Sequence, residues 1–480
     1  MLASGATLAG IGLSSLRTFA DDKTAPPKTL KFLFFDFRAF DLVEGFQRKL
    51  IQPVKFAANP LLVCDRPWEF GNITLYGSVV KRADGPFQLW YSVIKPPFNM
   101  MLAYAESDDG LQWRKPEFDT YLHDGKKTNI VFADNPHGPS IMYDALETRE
   151  DWKYKMICGA APEGHIRIYR SADGIKWTSA APAPVIAVNP DCPMSLLRRV
   201  DGSYAAHHRV KGGGRRIGRS ESRDFITWTG QKIVLEPDPE DPPRTQFYGM
   251  GATAYGDMEI GTLWNYHTDA DLAGPGTMNG MYDAELTFSR NGSAWHRALR
   301  GQPFIPNGNA QAWDCGNLQC ASAPLFLKDE MRFYYAASNL RHGVKWELQP
   351  GKFGVGMATT KPDRLIALSA GKDPAQLIST RFPLASTDMK INAAIANEGS
   401  VRVEILDAKG IPIPGFGLDQ CVPLTGDSLA HTVEWRDKPD RSVLANKTLR
   451  FKLIASNADL YAVYFSNGVD GQRYDDFRSP

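Results

Sequence analysis

This sequence has no excess of charge of either sign. Its 55 lysines and arginines face 54 aspartates and glutamates across 480 residues. Nothing in that balance draws the chain to nucleic acid or to an anionic membrane. Cysteine is scarce: Cys64, Cys158, Cys192, Cys315, Cys320 and Cys421 form no CxxC, and no nearby histidine set completes a zinc pattern. A disulfide scaffold is excluded, and no metal or cofactor is expected. Long hydrophobic runs are missing too, so no segment approaches the about 20 apolar residues of a membrane span. The opening MLASGATLAGIGLSSL (1–16) is too short to cross. It reads as the core of a secretory signal whose basic start is missing, with residues 1–20 as leader and Thr18-Phe19-Ala20 before the cleavage point. Export from a bacterial cell, to periplasm or medium, is the expectation. Oligomeric state is not legible.

What is present favours strands. Hydrophobic residues make up 43% and aromatics 11%, ample for a packed core, and 42 glycines with 33 prolines supply many turns. The pattern Ser-x-Asp-Gly-x-x-Trp occurs at Ser107–Trp113 and Ser171–Trp177. Degenerate copies lie at Ser220–Trp228 and Ser289–Trp295, and a weaker fifth at Ala358–Leu365. Two alternating, strand-like runs precede each copy, such as TLYGSVVKR (74–82) and FQLWYS (87–92). Four strands repeated five times predict an all-β five-bladed β-propeller over 70–380. Residues 21–69 read as an N-terminal arm, in which FLFFDF (32–37) either closes a blade or braces the next domain. Residues 385–466 alternate without the Trp repeat and predict a C-terminal β-sandwich, followed by a polar tail at 467–480.

NPLLVCDRPWEF (59–70), AESDDGLQWRKP (105–116), Asp191-Cys192-Pro193 and YDAELTFSRNGSAWHR (282–297) resemble the five-bladed propeller glycoside hydrolases of families 32, 43 and 68. The match is nearest to secreted bacterial family 32-like proteins. The resemblance implies a secreted glycoside hydrolase with a carbohydrate substrate. It places a shortened acid at Asp191, where the family has Glu-Cys-Pro. It also departs from the family: the second-blade position reads His137-Gly138-Pro139, and the first strand begins Thr74-Leu75-Tyr76, neither with an acid. Fructosidase activity is therefore not implied.

Propeller geometry selects the residues that face the central funnel: those before each inner strand, and those flanking the loop after each second strand. Hydrolysis calls for two carboxyl groups across the scissile bond. Asp191, with Glu69 or Asp314, is the expected catalytic set. His137, His208, Arg209, Trp264, His267, Asp283, His342, Tyr76 and Gln246 are the expected substrate-binding set. Arg209 suits a carboxylate or sulfate on the sugar; Trp264 and Trp313 are candidate stacking platforms, and Tyr248 a hydroxyl-binding group. KGGGRR (211–216) reads as a basic loop and not a phosphate loop. Two alternatives stay open: a non-catalytic glycan-binding propeller, and a lyase or transglycosylase that acts on acidic sugars with histidine and tyrosine in place of two acids.

Overall fold

The computed structural model of the chain describes residues 29–160, 165–182, 184–186, 190–210, 214–269, 279–384 and 386–466. The leader, the tail and the first half of KGGGRR lie outside them. Among the described residues no helix is long and apolar enough to cross a membrane.

Five antiparallel sheets surround one axis. Their inner strands are Ile73–Lys81, Pro136–Tyr143, Pro190–Arg198, Thr245–Tyr255 and Asn317–Cys320. We number the blades 1 to 5 in that order. The inner strands of blades 5, 1, 2, 3 and 4 pack in that order on one another, and the inner strand of blade 5 also meets the second and third strands of blade 4, which closes the ring. The axis is closed below the mouth: Ser322 N donates to Gly77 O (3.1 Å), Ala252 N to Ser322 O (2.9 Å), and Ile141 N to Ser78 Oγ (2.8 Å). Gly251 has no room for a side chain, because a Cβ there would lie 2.3 Å from Ala321 O.

The repeated motif explains how neighbouring blades lock. In the first copy Ser107 Oγ accepts from Gly110 N (2.8 Å), and Asp109 Oδ1 accepts from the backbone of Leu111 and Gln112 (2.7 and 2.9 Å). The copy at Ser171 repeats this with Gly174, Ile175 and Lys176. The turn requires a left-handed residue: Gly110 has φ 75°, Gly174 77° and Gly292 75°. The third copy is Ser222–Trp228 rather than one starting at Ser220, since Ser222 bonds Asp224 and Phe225 takes the left-handed place at φ 67°. The first two turns each present a carbonyl to an aromatic of the preceding blade: Trp90 Nε1 donates to Gly174 O (2.7 Å), and Tyr334 Oη to Gly110 O (2.7 Å). In the other two copies the tryptophan bonds within its own turn: Trp228 Nε1 donates to Phe225 O (2.8 Å) and Trp295 Nε1 to Gly292 O (2.9 Å).

The fifth blade is closed from the N-terminal side. Val54–Lys55 and Leu62–Val63 pair with its strand Phe353–Thr360. The chain leaves the propeller after Thr360, so the weak fifth copy at 358–365 is the exit and not an outer strand. Between the two closing segments, Asn59 mimics a strand: its Nδ2 donates to Met357 O (2.9 Å) and Tyr335 Oη (3.2 Å), and its Oδ1 accepts from Met357 N (3.0 Å). Asn59→Ala is expected to lower stability by about 2 kcal/mol, since it strands the buried Met357 N–H and removes the bonds to Met357 O and Tyr335 Oη. A urea titration checks this; an unchanged midpoint contradicts it.

Beyond the propeller, two 19-residue strands, Met389–Asp407 and Thr448–Ser466, pair with each other and gather Ile366–Ala370, Ala375–Ser379 and the N-terminal strands Thr29–Leu33, Phe40–Glu44 and Phe46–Leu50. Val401, Val403 and Ile405 alternate inward with outward Arg402 and Glu404, the period of a two-faced strand. FLFFDF (32–37) braces the sandwich: Phe32 packs on Phe382 and Phe451, while Phe35 reaches Phe288 of blade 4. Asp363 is buried at the junction with Lys31 (2.9 Å), Tyr464 Oη (2.6 Å) and Tyr255 Oη as partners. Lys31 and these hydroxyls hold its carboxyl below the usual range against the opposing pull of burial.

Candidate functional site

The mouth of the axis is built by all five blades. From blade 1 the inner strand brings Tyr76, whose Oη donates to Tyr248 Oη of blade 4 (3.0 Å). Tyr248 Oη in turn lies 2.9 Å from His342 Nε2, on the blade 5 segment after Met331–Ser338. His342 Nδ1 lies 3.2 Å from Tyr266 Oη, on the blade 4 second strand. A neutral imidazole carries one N–H and one lone pair, so it accepts from one tyrosine and donates to the other. Tyr76, Tyr248, His342 and Tyr266 therefore form a directional chain along which a proton can pass.

Blade 3 surrounds that chain with charge. The Arg209 guanidinium stands 4.5 Å over the Tyr248 ring, and Arg215 stands 5.1 Å from Tyr248 and 5.2 Å from Tyr266. Gln246 Oε1 fixes Arg215 by accepting from its backbone N (3.2 Å) and its side chain (2.9 Å). Blade 2 adds His137, edge-on to Tyr76 and to Phe98. Phe98 is 52% exposed and stands on the blade 1 side of the mouth as an open apolar face. Tyr282 backs the cluster, stacked on Tyr248 at 4.8 Å and held by Gln319 Nε2 (2.7 Å). Burial and its tyrosine neighbours push its hydroxyl well above the usual value.

Two of the three expected acids are held in place by partners within the fold. Glu69 is fully buried, with Oε1 accepting from Tyr91 (2.7 Å) and Lys115 (2.6 Å) and Oε2 from the backbone of Asp65 and Arg66. Every lone-pair direction is used, so it is a structural carboxylate. Asp314 is likewise buried, bound by Lys55 (2.5 Å) and Tyr335 (3.2 Å). Asp191 has its backbone in the blade 3 inner strand, and its side chain lies outside the described residues.

The binding set divides as well. Tyr76, His137, Arg209, Gln246 and His342 converge on the mouth. Trp264 is no open platform: it is 1% exposed, with Tyr76 stacked over it at 5.7 Å and 3°. Trp313 instead stacks on Tyr335. His208 points away from the mouth to Ser220 (3.1 Å) and Gln231 (3.4 Å). His267 and Asp283 form a separate pair (3.2 Å) on the blade 3 side of blade 4, where Asp283 raises the imidazole above its usual value against the pull of burial. Arg215, Tyr266 and Phe98 were not selected from sequence. Tyr266 was findable, two residues beyond Trp264 in WNYH and so on the same strand face.

The two buried histidines of blade 3 set an acid limit. Burial pushes His208 down to about 4, and burial, then the charges of Arg219 and His208, push His207 well below its usual value. Both stay neutral when folded and take protons near pH 6.5 when unfolded. Their effect is absent above that value, and stability falls as pH drops from about 6.5 towards 4, by about 3 kcal/mol for His208 alone. Urea midpoints across this window check the slope, which His208→Asn is expected to flatten; an unchanged slope contradicts it.

No family model and no curated protein matches this chain. Similar solved structures are glycoside hydrolases and phosphorylases. A β-1,2-mannobiose phosphorylase from Listeria innocua has TM-score 0.46 and 12% identity over 66% of this chain and 99% of its own. A structure from the GH130 family of mannoside phosphorylases has TM-score 0.45 and 16% identity over 67% and 95%. A putative glycoside hydrolase from Bacteroides ovatus has 0.45 and 14% over 65% and 97%. At such scores the chemistry of this mouth rests on its own residues.

Proposed function

We propose that the chain is an exported carbohydrate-active enzyme whose mouth binds an acidic sugar and cleaves its glycosidic bond by elimination. One observation carries this: the Tyr76–Tyr248–His342–Tyr266 chain under Arg209 and Arg215, while two of the three expected acids, Glu69 and Asp314, are bound to lysines elsewhere. Two guanidiniums in a nearly buried site favour an anion. A sugar carboxylate bound there loses its charge effect, which makes the adjacent C5–H more acidic. Tyr248, relieved of its proton by His342, takes the C5 proton. The C5–H electron pair becomes the C4=C5 double bond, and the C4–O4 bond breaks. Tyr76, across the hydrogen bond, supplies the proton that the leaving oxygen needs. Phe98 offers a stacking face to a neighbouring ring.

Hydrolysis is the second reading, favoured by Asp283, a mouth-side carboxylate with one oxygen that has no partner. Incubation with polysaccharides bearing uronic acids separates the two. Elimination leaves unsaturated ends that absorb in the ultraviolet, whereas hydrolysis leaves new reducing ends without that absorbance. New reducing ends alone would overturn elimination.

A further inference from the structure

The rim between blades 3 and 4 carries polar atoms that no described residue satisfies. Thr245 Oγ1, Asn265 Oδ1 and Asp283 Oδ1 are all buried and have no hydrogen-bond partner among the described residues. Asn265 is 3% exposed and Thr245 6%. Their placement follows from the register of blade 4. Asn265 lies directly opposite Asp283, and Thr245 directly opposite His267. Asn265 and His267 are two residues apart, so all four side chains share one face of the sheet. That face looks towards blade 3, because Phe247 and Leu263, of the same parity, pack on Leu197, Ala205 and Ile217. All four residues lie at the mouth end of their strands.

Three buried oxygens with no partner on one face are unusual, since buried polar groups in folded proteins are nearly always paired. Other polar groups behind this face are paired. Asn265 Nδ2 donates to Glu285 Oε1 (2.7 Å), and Arg297 binds Glu285 and Asp241. No described residue donates to these three oxygens. A cation is the poorer match, with the Arg297 guanidinium behind the face and His267 in front of it. Neutral O–H donors fit both the charge and the acceptor pattern.

We infer that Thr245, Asn265 and Asp283, flanked by His267, form a second subsite that takes the hydroxyls of a neutral sugar unit next to the acidic one. The order of units rests on the anionic reading of the mouth; the subsite itself rests on the orphaned oxygens. It makes the substrate an oligosaccharide of mixed charge, recognised over at least two units.

Saturation-transfer NMR tests this with cellobiose, β-1,4-mannobiose and β-1,4-galactobiose as neutral probes and D-glucuronate as the acidic one. At least one neutral disaccharide is expected to bind the full chain. It should bind about tenfold more weakly in Asn265→Ala and Asp283→Asn, and be unchanged in Arg209→Ala. Glucuronate should show the reverse. The subsite is overturned if no neutral disaccharide binds, if binding ignores both rim substitutions, or if it is lost with Arg209. If only the anionic reading is wrong, glucuronate will ignore Arg209→Ala while neutral sugars still depend on Asn265.

Discussion

Replacing His342 with alanine is expected to lower kcat by about 10²- to 10⁴-fold, the usual worth of a positioned general acid or base. The effect should fall on kcat and leave KM nearly unchanged, because His342 moves a proton and does not hold the sugar. It is half-buried, and its ring bonds two tyrosine hydroxyls that keep their own ring packing without it, so the fold should survive. Tyr248→Phe removes one oxygen and keeps the ring beneath Arg209, and should cost a similar factor. Arg209→Ala should behave differently, raising KM most, because it neutralises and orients the acid group. Steady-state kinetics on the polysaccharide that yields unsaturated ends separates these patterns. If His342→Ala kept full kcat, the proton chain would not be the catalytic device.

Glu69→Ala is expected to cost about 3–5 kcal/mol of stability, because it removes one of the two carboxylates, Glu69 and Asp65 at 2.6 Å each, that hold the Lys115 ammonium, 6% exposed. It also frees Tyr91 Oη and two backbone N–H groups. Burial and the Glu69 charge already push the Tyr91 hydroxyl well above its usual value, a sign of how tightly the two are coupled. Glu69→Gln should lose part of that stability, and Lys115→Met a comparable amount. The double variant should fall short of the sum by at least about 1 kcal/mol, as for residues in one network. Denaturant titration of the four proteins measures this. A stable Glu69→Gln protein with abolished turnover would return Glu69 to catalysis.

The propeller was legible because its physics is local. Ser, Asp and Gly at fixed offsets close one turn, and the turn recurs often enough to count. The closure of blade 5 was less so: Val54–Lys55 and Leu62–Val63 are two-residue strands, too short to leave a periodic signal. Glu69 and Asp314 were misread for a common reason. Both lie where a funnel carboxylate belongs, but the lysines that neutralise them come from distant chain, Lys115 46 residues on and Lys55 259 residues back. His208 and Arg209 show the same limit at one-residue resolution. They alternate across a strand, so one enters the mouth and the other the gap between blades, and the sequence does not say which. Arg215 was read as part of a basic loop, and only Gln246, fixed in the next blade, reveals its direction.

The most direct measurement is a crystal structure of the Tyr248→Phe variant soaked with an oligosaccharide that carries a uronic acid. The sugar carboxylate should lie in salt-bridge contact with Arg209 and Arg215, with the C5 hydrogen turned towards the vacated Tyr248 oxygen and His342. A sugar bound with its carboxylate away from both arginines, or with a pair of carboxylates astride the glycosidic oxygen, would contradict elimination at this mouth.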